Sequence, residues 1–231
     1  MPYFYFDPTY IILLPTLLFA LWAQFNVNGT FNKYSKINTR SNMTGYDAAR
    51  KILDANGLHH VKIEHISGHL SDHFDPRSNV IRLSDSVYSS TSVASVGVAA
   101  HEAGHAVQYA VGYSPMKLRA AIIPITNFGS TLAIPIFMIG LLFSMFELAM
   151  VGIALFSLTA VFQAVTLPVE FNASRRALDA LRSDGRLSGE EISASRKVLR
   201  AAALTYVAAL ASSLAQILRL LLLAGRGRRN D

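Results

Sequence analysis

No cysteine occurs in the 231 residues, so disulfides and thiolate metal sites are both excluded, and thiol chemistry gives no indication of compartment. Charge is scarce as well: 16% of residues are Asp, Glu, Lys or Arg, against about 25% in an ordinary soluble domain. Acidic residues are the scarcer sign, with 15 against 21 basic ones, for a net charge of +6. The basic excess lies beside apolar runs and is not interleaved with aromatics. That placement suits anionic headgroups and argues against a nucleic-acid surface. Internal repeats and low-complexity segments are absent.

What the chain has in quantity is apolar sequence, 52% of it. The run from Tyr10 to Val27 is long enough to cross about 30 Å of hydrocarbon. Trp22, with Tyr3, Phe4, Tyr5 and Phe6, suits an interfacial belt. No basic residue precedes the run and no small-residue cleavage site follows it, so a retained anchor is expected and not a cleaved leader. Two further spans are expected over Ala121 to Phe146 and Leu148 to Leu167, joined near Glu147, and a fourth ends near Ala224. The resulting fold class is a mainly α membrane protein with about four transmembrane helices and a small α+β domain at the membrane surface. Its parts are an N-terminal span (1–28), the α+β domain (29–120), a transmembrane hairpin (121–168), cytoplasmic helices (169–200), and a last span with a basic tail (201–231).

Within the polar segment, Thr44 and Asp47 form a capping-box pattern for a helix ended by Asn56-Gly57, with Ala48, Ala49, Ile52 and Leu53 on its apolar face. His60 to Glu64 and Val80 to Leu83 alternate like strands, and Asp75-Pro76-Arg77-Ser78 supplies turn chemistry between them. Val80 to Leu83 reads either as an exposed edge that pairs with an extended peptide or as an internal strand. Ser188 and Glu191 cap a helix that continues into the fourth span.

Residues 29–120 hold ten of the 21 basic residues and 169–200 hold seven, while the turn near Glu147 and the N-terminus hold none. The positive-inside rule therefore puts both basic segments on the cytoplasmic side. The tail Arg226-Gly227-Arg228-Arg229 resists this reading if the last helix crosses fully.

His101-Glu102-Ala103-Gly104-His105, on a helix expected from about Ser92 to Gly112, carries the chemistry. Positions i and i+4 share one face, so both imidazoles can meet one Zn2+, and an adjacent carboxylate can take a proton from water activated there. Two histidines and a glutamate within an otherwise uncharged helix would be costly to bury without such a task. A third ligand is required. Glu170 follows the third span, and the two spans between His105 and Glu170 return the chain to the side it left. Competing ligands are His65, His69, His73 and Asp179. Candidates for stabilising an oxyanion are His73, Tyr109, Tyr206, Arg175 and Arg176. Arg219, inside the fourth run, reads either as functional or as snorkelling to the interface.

HEAGHAVQ, Asp72-His73-Phe74-Asp75-Pro76-Arg77 followed by Val80 to Ser84, Glu170-Phe171-Asn172-Ala173-Ser174, and Leu204 to Ala209 together resemble the YugP-type bacterial membrane zinc metallopeptidases. The resemblance covers nearly the whole chain. It implies a multi-pass bacterial plasma-membrane protein whose α+β domain (29–120) is a zincin-like metalloprotease domain, with one zinc ion and peptidase activity, and it leaves the substrate open. A more distant similarity is to gluzincin membrane proteases of the HtpX and CAAX-prenyl protease type, which implies His101, His105 and Glu170 as ligands and Glu102 as general base. Those relatives carry Asp four residues after the glutamate, where it orients a ligating histidine; here Ser174 stands in that place. The expected substrate is a membrane or membrane-proximal protein, and the oligomeric state is open. The rival class is a non-catalytic zinc-binding membrane scaffold or regulator. A transporter is disfavoured, because the spans carry too few ionisable groups for a pathway.

Overall fold

The computed structural model describes residues 7–227. Tyr3, Phe4, Tyr5, Phe6, Arg228 and Arg229, and the side chains of Arg226 and Gly227, lie outside what it describes, and so do the interfacial and tail readings placed on them. A short 3-10 helix, Pro8–Leu13, leads into α1 (Leu14–Tyr34). Then come α2 (Gly45–Ala55), β1 (Lys62–Ile66), β2 (His73–Asp75), β3 (Val80–Ser84), α3 (Val93–Ala110), α4 (Ser114–Leu142), α5 (Phe146–Asp184) and α6 (Gly189–Gly227). Four helical segments are long and apolar enough to span a bilayer: Pro8–Tyr34, Ser114–Leu142, Phe146–Asp184 and Gly189–Gly225. The protein is a mainly α membrane protein with a small α+β region. The chain forms two compact units.

The first unit comprises Met1–Ala23, Leu118–Thr166 and Thr205–Asp231. Many of its large apolar side chains point outward: Phe128 is 69% exposed and Leu142 79%. Such a surface would be costly in water and is unremarkable against lipid tails. Inside, glycine sets the spacing of α4 and α5. A Cβ on Gly152 would meet the Phe137 backbone nitrogen at 2.6 Å, and one on Gly140 would overlap Ala149. Close backbone approach through small residues is how helices gain packing where lipid supplies no hydrophobic drive. Phe137, Ala149, Ile153, Leu220 and Ala224 fill the interior. Arg219 bonds Asp7 through Nη2 at 3.1 Å and stacks its guanidinium 3.9 Å from the Tyr10 ring centre. Both sequence readings of this arginine give way to a structural one: it clasps the N-terminal 3-10 helix to α6. The turn between α4 and α5 falls at Phe143–Met145, and Glu147 belongs to the first turn of α5, where a carboxylate favours the helix dipole.

The second unit comprises Gln24–Lys117 and Leu167–Leu204. Both capping boxes form. Thr44 Oγ1 accepts from the Asp47 N–H at 3.0 Å and the Thr44 N–H donates to Asp47. The Ser188 N–H donates to Glu191 at 2.6 Å. Glu191 also accepts the Arg40 N–H at 2.7 Å, tying the start of α6 to the loop before α2. The core joins Phe31 of α1, Ile52 and Leu53 of α2, Ile81 and Leu83 of β3, Val96 and Ala100 of α3, and Leu181 and Leu199 from α5 and α6.

The strands depart from expectation in three ways. β1 begins at Lys62, two residues late. It pairs with β3 in parallel, so the turn chemistry at Asp75 to Ser78 does not join these two strands. An extra strand, β2, lies antiparallel to β3, giving the order β1-β3-β2. The Asp75 turn therefore joins β2 to β3: its carboxylate accepts the Arg77 N–H at 2.9 Å and the Ser78 hydroxyl at 2.6 Å, and Asn79 takes φ +53°. These bonds hold the Asp75 carboxyl down at about 2, well below the usual carboxylate range. β3 is central, so the edge reading of Val80 to Leu83 is wrong; its ladder is filled on both sides, and the edges are β1 and β2.

Candidate metal centre

The Ser92 side chain caps α3, accepting the Ser95 N–H at 3.2 Å. Small residues then let α3 run through the middle of its unit. A Cβ on Gly97 would stand 3.2 Å from the Ser195 Cβ of α6, and one on Gly104 would stand 2.7 Å from the Ala173 carbonyl oxygen of α5. Gly104 is thus a point of close approach between the helix bearing the histidines and the helix bearing Glu170, which lies one turn before Ala173.

That approach brings three donors together. The His101 and His105 rings are 4.6 Å apart, one turn apart on the same face. Glu170 Oε2 lies 3.2 Å from His101 Nε2 and 3.5 Å from His105 Nε2. The ligand atoms all fall within 4.8 Å of one another, as a metal site needs. With zinc–ligand distances of 2.0–2.1 Å, a tetrahedral site has ligand–ligand edges of about 3.3 Å. Both measured separations sit close to that edge, so the donor set fits a zinc ion.

Proton positions strengthen the fit. Gln108 is fully buried, and its Nε2 donates to the Val169 carbonyl at 2.8 Å and to Asn172 Oδ1 at 3.0 Å. A carbonyl oxygen can only accept, so the Gln108 amide is oriented with Oε1 toward His105 Nδ1, 3.0 Å away. His105 must therefore carry its hydrogen on Nδ1, leaving the Nε2 lone pair facing the Glu170 carboxylate. Arg176 Nε donates to Asn172 Oδ1 at 2.8 Å and fixes the far end of this chain. On the other histidine, Ser174 Oγ and His101 Nδ1 share a hydrogen bond of 3.1 Å. Lone pairs converging on a carboxylate repel unless a cation lies among them. Burial disfavours charge on His105, yet the Glu170 hydrogen bond and the Glu102 and Glu170 charges raise its pKa.

Glu102, 8% exposed, follows His101 on α3. Near it, the half-buried Asp72 accepts the Ser84 N–H at 2.8 Å and the Ser84 hydroxyl at 2.9 Å, tying the residue before β2 to the end of β3. Burial pushes the Asp72 carboxyl upward against those bonds, and the Glu102 charge adds to the push.

The competing ligands lie elsewhere. His65 bonds Asp85 at 2.7 Å, His69 packs edge-on to Phe31, and Asp179 pairs with Arg182 at 3.0 Å. His73 is on β2, with Nδ1 2.9 Å from the Ser71 carbonyl. Tyr109 is half exposed and packs against Phe74. Arg175 is exposed, Arg176 is engaged with Asn172, and Tyr206 belongs to the other unit. Gln108, Asn172 and Asp72 escaped the sequence reading as site residues. Gln108 alone had a local signal, three residues after His105 on the same helical face.

A family model described as "Putative neutral zinc metallopeptidase" matches residues 9–225. The chain is 45% identical over 217 residues to the "Putative membrane protease YugP" of Bacillus subtilis (strain 168), covering 94% of this chain and 96% of that protein. No solved structure matches.

Proposed function

The chain belongs to the neutral zinc metallopeptidase family, and from that premise we propose that it hydrolyses peptide bonds in membrane or membrane-proximal proteins, holding one Zn2+ on His101, His105 and Glu170 with Glu102 as general base. The observation carrying this reading is the convergence of both Nε2 atoms on Glu170 Oε2 at 3.2 and 3.5 Å, with both Nδ1 atoms occupied from behind. A bound zinc ion supplies Lewis acidity, polarising the scissile carbonyl and lowering the pKa of a water molecule. The chain's own residues do the rest. Ser174 and Gln108 hold the imidazoles in the ligating orientation. Glu102 takes the water proton on a carboxylate oxygen and passes it to the departing amine nitrogen. The buried flanks of α3 exclude bulk water and strengthen each of these interactions.

Helix α5 passes directly from an apolar run into the turn that bears Glu170, and α6 passes from polar sequence into an apolar run. This continuity supports a site near the membrane surface, and the distribution of basic residues supports the cytoplasmic side. A structural zinc in a scaffold would have four protein ligands, whereas three are assembled here among the described residues.

Glu102→Gln is the decisive variant. Zinc content measured on purified protein should be unchanged, while cleavage of membrane-proteome substrates should fall by about 10²–10⁴-fold. Cleavage retained at the unmodified rate would remove Glu102 from the chemistry, whereas no cleavage by the unmodified, zinc-loaded protein would favour the scaffold reading.

A further inference from the structure

Between α5 and α6, wholly within the second unit, lies a groove of about 350 Å³. Arg175 and Arg182 of α5 and Arg196 and Arg200 of α6 line it, and Asp179 is the sole acidic group on its walls. Asp179 is taken up by Arg182 at 3.0 Å. Among the described residues no carboxylate pairs with Arg175, Arg196 or Arg200. Three exposed guanidinium groups thus face one concavity uncompensated, an arrangement that repels itself unless an anion enters. We propose that this groove binds the phosphate headgroup of an anionic phospholipid through Arg175, Arg196 and Arg200.

Three features favour a lipid over an acidic stretch of polypeptide. The arginines stand where polar helix gives way to apolar helix: Arg200 immediately precedes the run from Ala201 into the span of α6, and Arg175 lies within about two turns of the apolar part of α5. The walls are amphipathic in the same sense, with Leu178, Leu199 and Ala203 beside the arginines and the half-exposed Phe171 at the apolar end. Basic pockets between helices at this level suit phospholipid headgroups, and a guanidinium can hold two phosphate oxygens at once. Finally, the groove lies behind the candidate metal centre. It is lined by Ser174, whose hydroxyl occupies His101 Nδ1, while Nε2 of that ring faces Glu170. A substrate residue seated there would be on the wrong side of the imidazole for cleavage.

The proposal rests on the membrane placement of these helices, and the metal reading enters only in setting a substrate residue aside, so it is tested on full-length protein with and without chelator, and its failure would leave the Glu102→Gln result untouched. Native mass spectrometry of detergent-purified protein, offered phosphatidylglycerol or phosphatidylcholine, should show preferential phosphatidylglycerol adducts. Arg196→Gln and Arg200→Gln should each weaken that preference by about fivefold. Lys197→Gln, an exposed neighbour outside the groove, should leave it unchanged. Equal losses from Lys197→Gln would reduce the effect to diffuse charge and overturn the proposal, as would full retention in the Arg196→Gln/Arg200→Gln double variant. Displacement of the lipid by inorganic phosphate would reassign the groove to the free anion. Displacement by a glutamate-rich peptide would reassign it to substrate. Persistence of the adduct against both supports the lipid. Thermal melts matching the unmodified protein confirm that any loss reflects binding and not unfolding.

Discussion

Gly104→Ala tests whether helix spacing sets ligand spacing. The added Cβ would lie 2.7 Å from the Ala173 carbonyl oxygen, and 3.3 Å from both the carbonyl carbon and Cα of that residue. Ordinary carbon–oxygen contact begins near about 3.3 Å, so α3 and α5 must separate by about 0.6 Å. The atoms that must yield are backbone, and no side-chain rotation relieves them. Glu170 rides on the same helix one turn away. Its present separations of 3.2 and 3.5 Å from the two Nε2 atoms would open to about 3.8–4.1 Å if the helix moves as a body, against a tolerance of about 0.2 Å per metal bond. Zinc affinity should fall about 10–100-fold, or about 1.4–2.8 kcal/mol. Fold stability should suffer less. Overpacking costs about 1–3 kcal/mol, and the better helix propensity of alanine returns up to about 1 kcal/mol. Competition against a fluorescent chelator reads the affinity, and thermal unfolding of the metal-free protein reads the stability. Gly97→Ala is the control: its Cβ meets only the Ser195 side chain and Cα of α6, at 3.2 Å and beyond, so zinc affinity should be unchanged. Unmodified zinc affinity in folded Gly104→Ala protein would refute the view that this contact positions Glu170.

Other perturbations read different parts of the same unit. Gln108→Leu strips His105 Nδ1, the Val169 carbonyl and Asn172 of a shared partner. It should cost about 1–3 kcal/mol in chemical denaturation and lower zinc affinity about tenfold or more; an unaffected zinc titration would show that His105 does not depend on this bond. Asp72→Asn keeps an oxygen for the Ser84 N–H and removes a carboxyl whose pKa burial raises. Because the folded state holds that proton more tightly than the unfolded one, Asp72 favours folding at acid pH. That contribution is lost as pH rises from the ordinary carboxylate range through the raised value. The stability of Asp72→Asn relative to the unmodified protein should therefore grow across that window, and a pH-independent difference in urea midpoints would contradict the assignment.

Much of this protein follows from local pattern. Apolar runs longer than a bilayer is thick, with no water inside to satisfy free backbone, leave helices as the available structure, so the four spans were legible from composition and length alone. The capping pairs Thr44–Asp47 and Ser188–Glu191 involve residues three apart, and such contacts are decided before any tertiary packing. His101 and His105 share a face for the same reason, through the 3.6-residue period. Glu170 was reachable by counting spans, because two crossings restore the side of departure. What lay beyond reach were contacts between distant segments. β1 and β3 pair in parallel because α2, the sheet and α3 bury one core together, and no residue in either strand announces that direction. The Asp75 turn was recognised, but which strands it joins depends on pairings across the sheet. Gln108 reaching Val169 and Asn172 and the depth of Gly104 against Ala173 span some sixty to seventy residues of sequence, while Ser174 reaching His101 was accessible only through the resemblance to relatives with Asp in that place. Helical periodicity determines which residues can face a common point; only the packing of one helix against another decides which distant groups are there to meet them.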